Sequence, residues 1–274
     1  MSRQQDTPRN AAEPASSAAA PRTGASHARR VLTPLLTVVG LLVVWELVVD
    51  LGLIPNFLLP TPVQVVQALV NDISLIVGHA ATTLVETAIG LLIGVALGFA
   101  IAVLMDRFEG FYLALKPLVT ISQTIPTIAI APLLVLWFGY GLAPKVILIV
   151  ITTFFPITVS LISGFRSVDP DVIDLMRTMN ASRWQIFRYA KLPAAADQFF
   201  SGLRISATYA VIAEWLGGNS GLGVYMTRVR KSFSYDRMFA VIIVISALSL
   251  GLMKLVDLLQ CICMPWKRAE GNKR

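Results

Sequence analysis

Apolar residues along this chain gather in runs of about twenty or more, the helix length that crosses a ~30 Å hydrocarbon core. Six runs are predicted as membrane-spanning helices: Val31–Leu53, His79–Met105, Leu115–Phe138, Val146–Gly164, Ile205–Leu216 with some flanking residues, and Met238–Leu258. The third contains Pro126 and Pro132, and the fifth is short with polar residues at both ends. The fold class expected is all-α, a polytopic membrane protein occupying residues 31–266. Residues 1–30, rich in Ala, Ser, Pro, Arg and Gln without an apolar period, read as a disordered tail. Residues 267–274 read as a short basic tail. The first apolar run starts only at Val31 and is longer than the core of a leader peptide, so a cleaved leader is not expected.

The polar stretches carry their own patterns. In Leu59-Pro60-Thr61-Pro62-Val63, Thr61 can cap a helix whose first position is Pro62, where a missing N–H costs nothing. Val63, Val66 and Val70 then share one face, which predicts a short amphipathic helix on the outer membrane surface. In the second run Gly90, Gly94 and Gly98, with Ala102 continuing the row, predict a face stripped of side chains against which another helix packs closely.

Residues 165–203 form the longest polar segment after the tail. Asp169-Pro170-Asp171 is a helix start, with Asp as cap, Pro at the first position and an acid in the first turn. Val172, Leu175, Met176 and Met179 recur as one apolar face of a short helix. Asn180 suits the left-handed residue that ends a helix. Ser182-Arg183-Trp184-Gln185 fits a capping box opening a second helix, and Leu192-Pro193 is read as closing the unit. Two capped helices with exposed apolar and aromatic groups beside Arg177, Arg183 and Arg188 predict a docking element for a cytoplasmic partner.

Composition narrows the class. The 274 residues are 55% hydrophobic and 14% charged, with mean hydropathy +0.70, which excludes an ordinary soluble multi-domain enzyme. His27 and His79 are the only histidines and Cys261 and Cys263 the only cysteines, so no metal centre is expected. The net charge of +7 bears on orientation rather than on nucleic acid. With the N-terminus inside, 18 of the 23 Lys and Arg fall in inside segments, so both termini are expected in the cytoplasm. Lys145 falls in an outside loop on this reading, and Arg228, Arg230, Lys231 and Arg237 cluster against the rule between the last two spans. Such a patch fits acidic residues on an external partner protein, an anionic solute, or lipid phosphates. Intramembrane polar groups are candidates for the transport path: Gln123, Thr124 and Thr127 around Pro126, and Glu214 beside Gly217-Gly218. Glu46 and Glu86 are read as interfacial or paired within the bundle.

The segment Asp174-Leu175-Met176, three residues, Asn180, nine residues, Ala190, one residue, Leu192-Pro193 has the spacing of the "EAA" loop of ABC importer permeases. Leu59-Pro60-Thr61-Pro62, the stretch from Gln123-Thr124-Ile125-Pro126 to Trp137-Phe138-Gly139, and Ala213-Glu214-Trp215 with Gly221-Leu222-Gly223 resemble the nitrate/sulfonate/taurine-type branch of that family. The stretch Met226–Met238 is similar to permeases associated with thiamine-pyrimidine precursors or riboflavin. The resemblance implies a transmembrane subunit that pairs as a homodimer, binds a cytoplasmic ATPase and receives its solute from an external binding protein. Asp174, Met176, Asn180, Ser182, Arg183, Trp184, Leu192 and Pro193 would then dock the ATPase, and Arg228, Arg230, Lys231 and Arg237 the binding protein. No Gly-x-x-x-x-Gly-Lys-Ser/Thr loop is present, so ATP and Mg are expected on the partner chain, with no catalytic residue and no cofactor in this one. A secondary transporter and, further off, an intramembrane enzyme are the alternatives.

Overall fold

The computed structural model describes residues 26–122, 124, 126–213, 218 and 220–265, with the backbone alone at 26–31, 127 and 128. Among these residues there is no strand. The helices are α1 (Ser26–Asp50), α2 (Pro62–Asn71), α3 (Ile73–Arg107), α4 (Glu109–Ser122), α5 (Thr127–Phe138), α6 (Leu142–Arg166), α7 (Pro170–Thr178), α8 (Arg183–Ile186), α9 (Leu192–Ala213), α10 (Leu222–Lys231) and α11 (Tyr235–Cys263). A π-helical turn, Phe187–Lys191, joins α8 to α9. Helices α1, α3, α6 and α11 are each long and apolar enough to cross a bilayer. The shorter α4–α5 pair and α9 supply the third and fifth of the six predicted spans.

The core is built where side chains are smallest. Gly90, Gly94 and Gly98 of α3 lie against Ile149, Thr153 and Ile157 of α6, so close that a Cβ on Gly90 would stand 2.5 Å from Ile149 and one on Gly98 2.9 Å from Ile157. The two numberings rise together, so α3 and α6 run parallel, and the chain between them has to return along the bundle. The α4–α5 pair makes that return. Against α6, helix α9 runs antiparallel: Gly164 meets Ala195, Gly202 meets Ser160, and the Ser206 hydroxyl donates to Thr153 O at 3.3 Å. Helix α11 is antiparallel to α9, tied by Arg204–Asp257 at 2.7 Å and Gln260–Asp197 at 3.3 Å. Ala102, Ile157, Leu161, Phe165, Ala195 and Leu203 fill the core between them.

The bundle therefore has two ends. One gathers α2, the starts of α3, α6 and α11, and α10. The other gathers the ends of α3, α6 and α11 with α7, α8 and the start of α9. At the α2 end, Thr61 forms a full capping box with Gln64, at 3.3 and 3.0 Å, and Pro62 opens α2 as predicted. Val63, Val66 and Val70 are exposed together while Val65 and Ala68 turn inward, the amphipathic arrangement expected. The Trp45 indole of α1 donates to Pro60 O at 3.1 Å and fixes α1 beside α2.

Three boundaries differ from the sequence reading, each for a local reason. Helix α3 starts at Ile73 rather than His79, because the chain between α2 and α3 is a single residue, Asp72. The third span is not one kinked helix: it stops at Ser122 and restarts at Thr127, with Pro126 at the cap position, where its missing N–H costs no helix bond. The fifth span starts at Leu192, so Leu192-Pro193 opens it instead of closing the unit before it.

Candidate functional site

At the α7 end the predicted pair of short helices is present. The Asp169 side chain accepts from Asp171 N at 3.0 Å and Pro170 opens α7. The helix ends in a Schellman turn: Ala181 N donates to Met176 O and Asn180 N to Arg177 O, both at 2.9 Å. This places Asn180 at φ 62°, in the left-handed region. Ser182 and Gln185 then form the second capping box, at 3.3 and 2.6 Å. Leu175, Met179 and Trp184 stand exposed, Met179 at 75% and Trp184 at 66%, while Ile186 turns inward. Asp174 holds Arg177 at 2.9 Å on the surface of α7. The result is a rigid apolar knob with a charged rim.

The knob is joined to the bundle without a break. Leu192 N donates to Phe187 O, five residues back, and this π turn lets the helix pass Pro193, whose ring and missing N–H would otherwise interrupt the regular ladder. From Arg183 to Ala213 the backbone is one helical rod. Two ion pairs fasten its neighbourhood to the α3–α4 turn: Lys191–Asp106 at 2.6 Å and Arg166–Glu109 at 3.3 Å. The Arg166 guanidinium also lies over the Tyr112 ring at 3.3 Å. Phe187 packs between Phe165 and Trp184.

At the α2 end lies a polar cluster around Glu86, the acid read from sequence as interfacial or paired within the bundle. Lys145, read from sequence as an outside-loop residue, sits in the first turn of α6 with its side chain 1% exposed. Its ammonium donates to both Glu86 carboxylate oxygens of α3, at 3.1 and 2.9 Å, and to Ser220 O. Gly218 rests on the lysine stem, where any Cβ would overlap it. One and two turns up α3, Thr83 Oγ1 accepts from Leu222 N at 2.9 Å and His79 Nδ1 accepts from Gly221 N at 3.1 Å. The free N–H groups that begin α10 are thus satisfied by α3 side chains. His79 stacks on Tyr225 at 5.1 Å. The Tyr225 hydroxyl donates to Asp72 at 3.2 Å, and Asp72 also pairs with Arg237 at 2.8 Å. Burial, then the Asp72 carboxylate, raises the Tyr225 phenol above its ordinary pKa.

The segment 226–238, read as a loop, is mostly the helix α10 and a tight turn. Leu222, Tyr225, Met226 and Val229 pack against Ile76 and Val241. The turn ends with Phe233 at φ 58°, 74% exposed, a bulky residue in a conformation that favours Gly or Asn. Arg228, Arg230 and Lys231 are exposed at the end of α10, whereas Arg237 is committed to Asp72. Of the predicted path residues, Gln123 and Glu214 lie outside the described residues, as does the side chain of Thr127. Thr124 is exposed and donates to Ile121 O at 2.7 Å. Lys145, His79 and Thr83 were missed. The signal for His79 and Thr83 was their spacing with Glu86, at i, i+4 and i+7 on one face of α3; Lys145, on α6, gave none.

A family profile described as "Binding-protein-dependent transport system inner membrane component" matches residues 90–265. The chain is 39% identical, over 83% of its length and 95% of the relative's, to a probable ABC transporter permease protein of Haemophilus influenzae. It is 37% identical, over 87% and 97%, to the formylaminopyrimidine transport permease protein ThiX of Halalkalibacterium halodurans. Among solved structures, a chain of the MetNI methionine ABC transporter superposes with TM-score 0.60 at 20% identity, covering 69% of this chain and 96% of that one, which shows the shared fold.

Proposed function

The chain belongs to the family of binding-protein-dependent transport system inner membrane components, and on that premise we propose that it moves a small nitrogen-heterocyclic solute across the inner membrane by alternating access. It is a permease subunit of an ABC importer for small solutes, sits in the membrane and works with a separate ATPase. The alternatives, secondary transport and intramembrane catalysis, are not favoured by the family or its relatives.

The observation that supports coupling to an ATPase is the knob at the α7 end. It presents Leu175, Met179 and Trp184 on two capped helices that continue into a span. Asp174, Met176, Asn180, Ser182, Arg183 and Trp184 form this docking element, and Leu192 and Pro193 lie in its stem. ATP and Mg bind the partner ATPase. The concentration of basic residues at the α7 end supports a reading in which that end, and both termini with it, face the cytoplasm. A homodimer supplies the second wall of the path, and Gln123, Thr124 and Thr127 are assigned to it from their place in the sequence around Pro126. Glu214 follows α9 on the same reading. The choice of a pyrimidine-like solute rests on the ThiX relative, a formylaminopyrimidine transport permease protein.

The test is uptake into vesicles carrying the chain with its ATPase and binding protein. Labelled formylaminopyrimidine is expected to accumulate with ATP, and taurine and riboflavin to be left outside. Accumulation of either of the latter in its place overturns the substrate assignment.

Arg228, Arg230 and Lys231 are exposed at the α2 end and are assigned to the binding protein. Arg237 contributes through its hold on Asp72. Replacing the first three by Gln is expected to raise several-fold the binding-protein concentration that half-saturates uptake at low salt, a difference that shrinks as salt screens the wild type. A half-saturation point indifferent to both salt and substitution removes the docking role.

A further inference from the structure

Buried ions in a membrane bundle call for a reason. An ion pair contributes little net stability once the cost of drying both partners is counted, and intramembrane charges mark working positions. The Glu86–Lys145 pair is buried, and its lysine also grips Ser220 O, just ahead of α10. Nothing in the packing of α3 on α6 requires this. Gly90, Gly94 and Gly98 already bring those helices together one turn further along.

We propose that Lys145 is a positioning residue of the transport cycle: balanced by Glu86, it docks the start of α10 onto α3 and α6 in one state of the cycle and lets it go in the other. The geometry makes this contact the junction of three elements. Helix α9, whose far end is the ATPase-docking knob, leads through the residues before Gly218 to α10. Helix α10 meets the bundle at its first turn through Lys145, Thr83 and His79. Each of the three bonds a single backbone group at the start of α10, so these contacts can be made or broken without unfolding α10. Gly218 and Gly221, the latter at φ 111°, leave the chain there free to change direction. Lys145 does not touch solute on this account; it acts through the position of α10. The proposal rests on the importer reading above.

The experiment uses the full complex with its ATPase and binding protein, with Cys261 and Cys263 replaced by Ser and Ser220→Cys as reporter. The impermeant thiol reagent is a sulfonated maleimide. Labelling of residue 220 is expected to be slow at rest and roughly tenfold faster during ATP turnover, the scale of typical coupling between distant sites. In the double variant Glu86→Leu with Lys145→Met, which removes both charges together, labelling is expected to be fast without ATP. Solute moved per ATP is expected to fall by a similar factor at unchanged yield of assembled complex. Lys145→Arg, which keeps the charge, is expected to restore nucleotide dependence. A labelling rate that ignores ATP with Lys145 and Glu86 intact overturns the proposal, whatever the variants do. So does a double variant that transports as well as the parent. Failure of the importer reading shows separately, as absence of ATP-dependent uptake by the unaltered complex.

Discussion

Replacing Asn180 by Val is expected to cut solute transport per ATP hydrolysed by at least tenfold while the chain still inserts and its spans still assemble. Asn180 sits at φ 62° and closes α7 through two Schellman bonds before Ser182 caps α8. A β-branched residue is disfavoured in that region by about 1–2 kcal/mol. The chain relieves the strain by unwinding the last turn of α7 or by reorienting it. Either response moves Leu175 and Met179 relative to Trp184, the three exposed side chains proposed above as the surface that meets the ATPase. Because the turn is exposed and remote from the α3–α6 core, the cost falls on coupling and not on folding. Asn180→Gly, which accepts the same conformation freely, is expected to transport like the parent. The measurement is uptake and ATPase rate in the same vesicles. Equal ratios for Val and parent would remove the turn from the coupling mechanism.

Gly94→Leu is expected to have the largest effect on the fold itself. The Thr153 hydroxyl occupies the space a Cβ at position 94 would need; Thr153 is fully buried, its hydroxyl bonded to Ile149 O at 2.8 Å and its backbone carbonyl accepting from Ser206 of α9. The neighbour has nowhere to go, so α3 and α6 must separate. Overpacking of this kind costs about 1–3 kcal/mol at a yielding site, and this site does not yield. Assembled complex recovered in mild detergent is expected to fall to a small fraction of the parent's, with a lower melting temperature. Gly110→Ala, where the added carbon meets open space, is the control and is expected to change neither. Normal recovery of Gly94→Leu would mean that the two helices are held elsewhere.

The spans were legible because apolar length is a one-dimensional property, and the pair of short helices at the α7 end because its caps are local. Asp169, Asn180 and Ser182 each act on backbone within a few residues, so the chain announces them without knowledge of the rest. What stayed hidden depends on partners distant along the chain. Lys145 and Glu86 are 59 residues apart, and Gly221 and His79 are 142. A lysine near the end of an apolar run looks the same whether it turns to water or inward. The Leu192-Pro193 pair misled for a related reason: proline usually ends a helix, and only the π turn at Phe187–Lys191 allows this one to continue. Helix α10 escaped notice because its buried face, Leu222, Tyr225, Met226 and Val229, is diluted by Arg228, Arg230 and Lys231 in a window too short to separate them.

The unbroken rod from Arg183 to Ala213 also sets a mechanical scale. At 1.5 Å per residue, its 31 residues span roughly 46 Å, so a swing of about 5° about the knob displaces the far tip by about 4 Å. That displacement exceeds the 2.9 Å and 3.1 Å bonds by which Thr83 and His79 hold the start of α10. A lever of these proportions turns a small rotation at one membrane face into a complete change of bonding at the other, and neither end has to melt to do it.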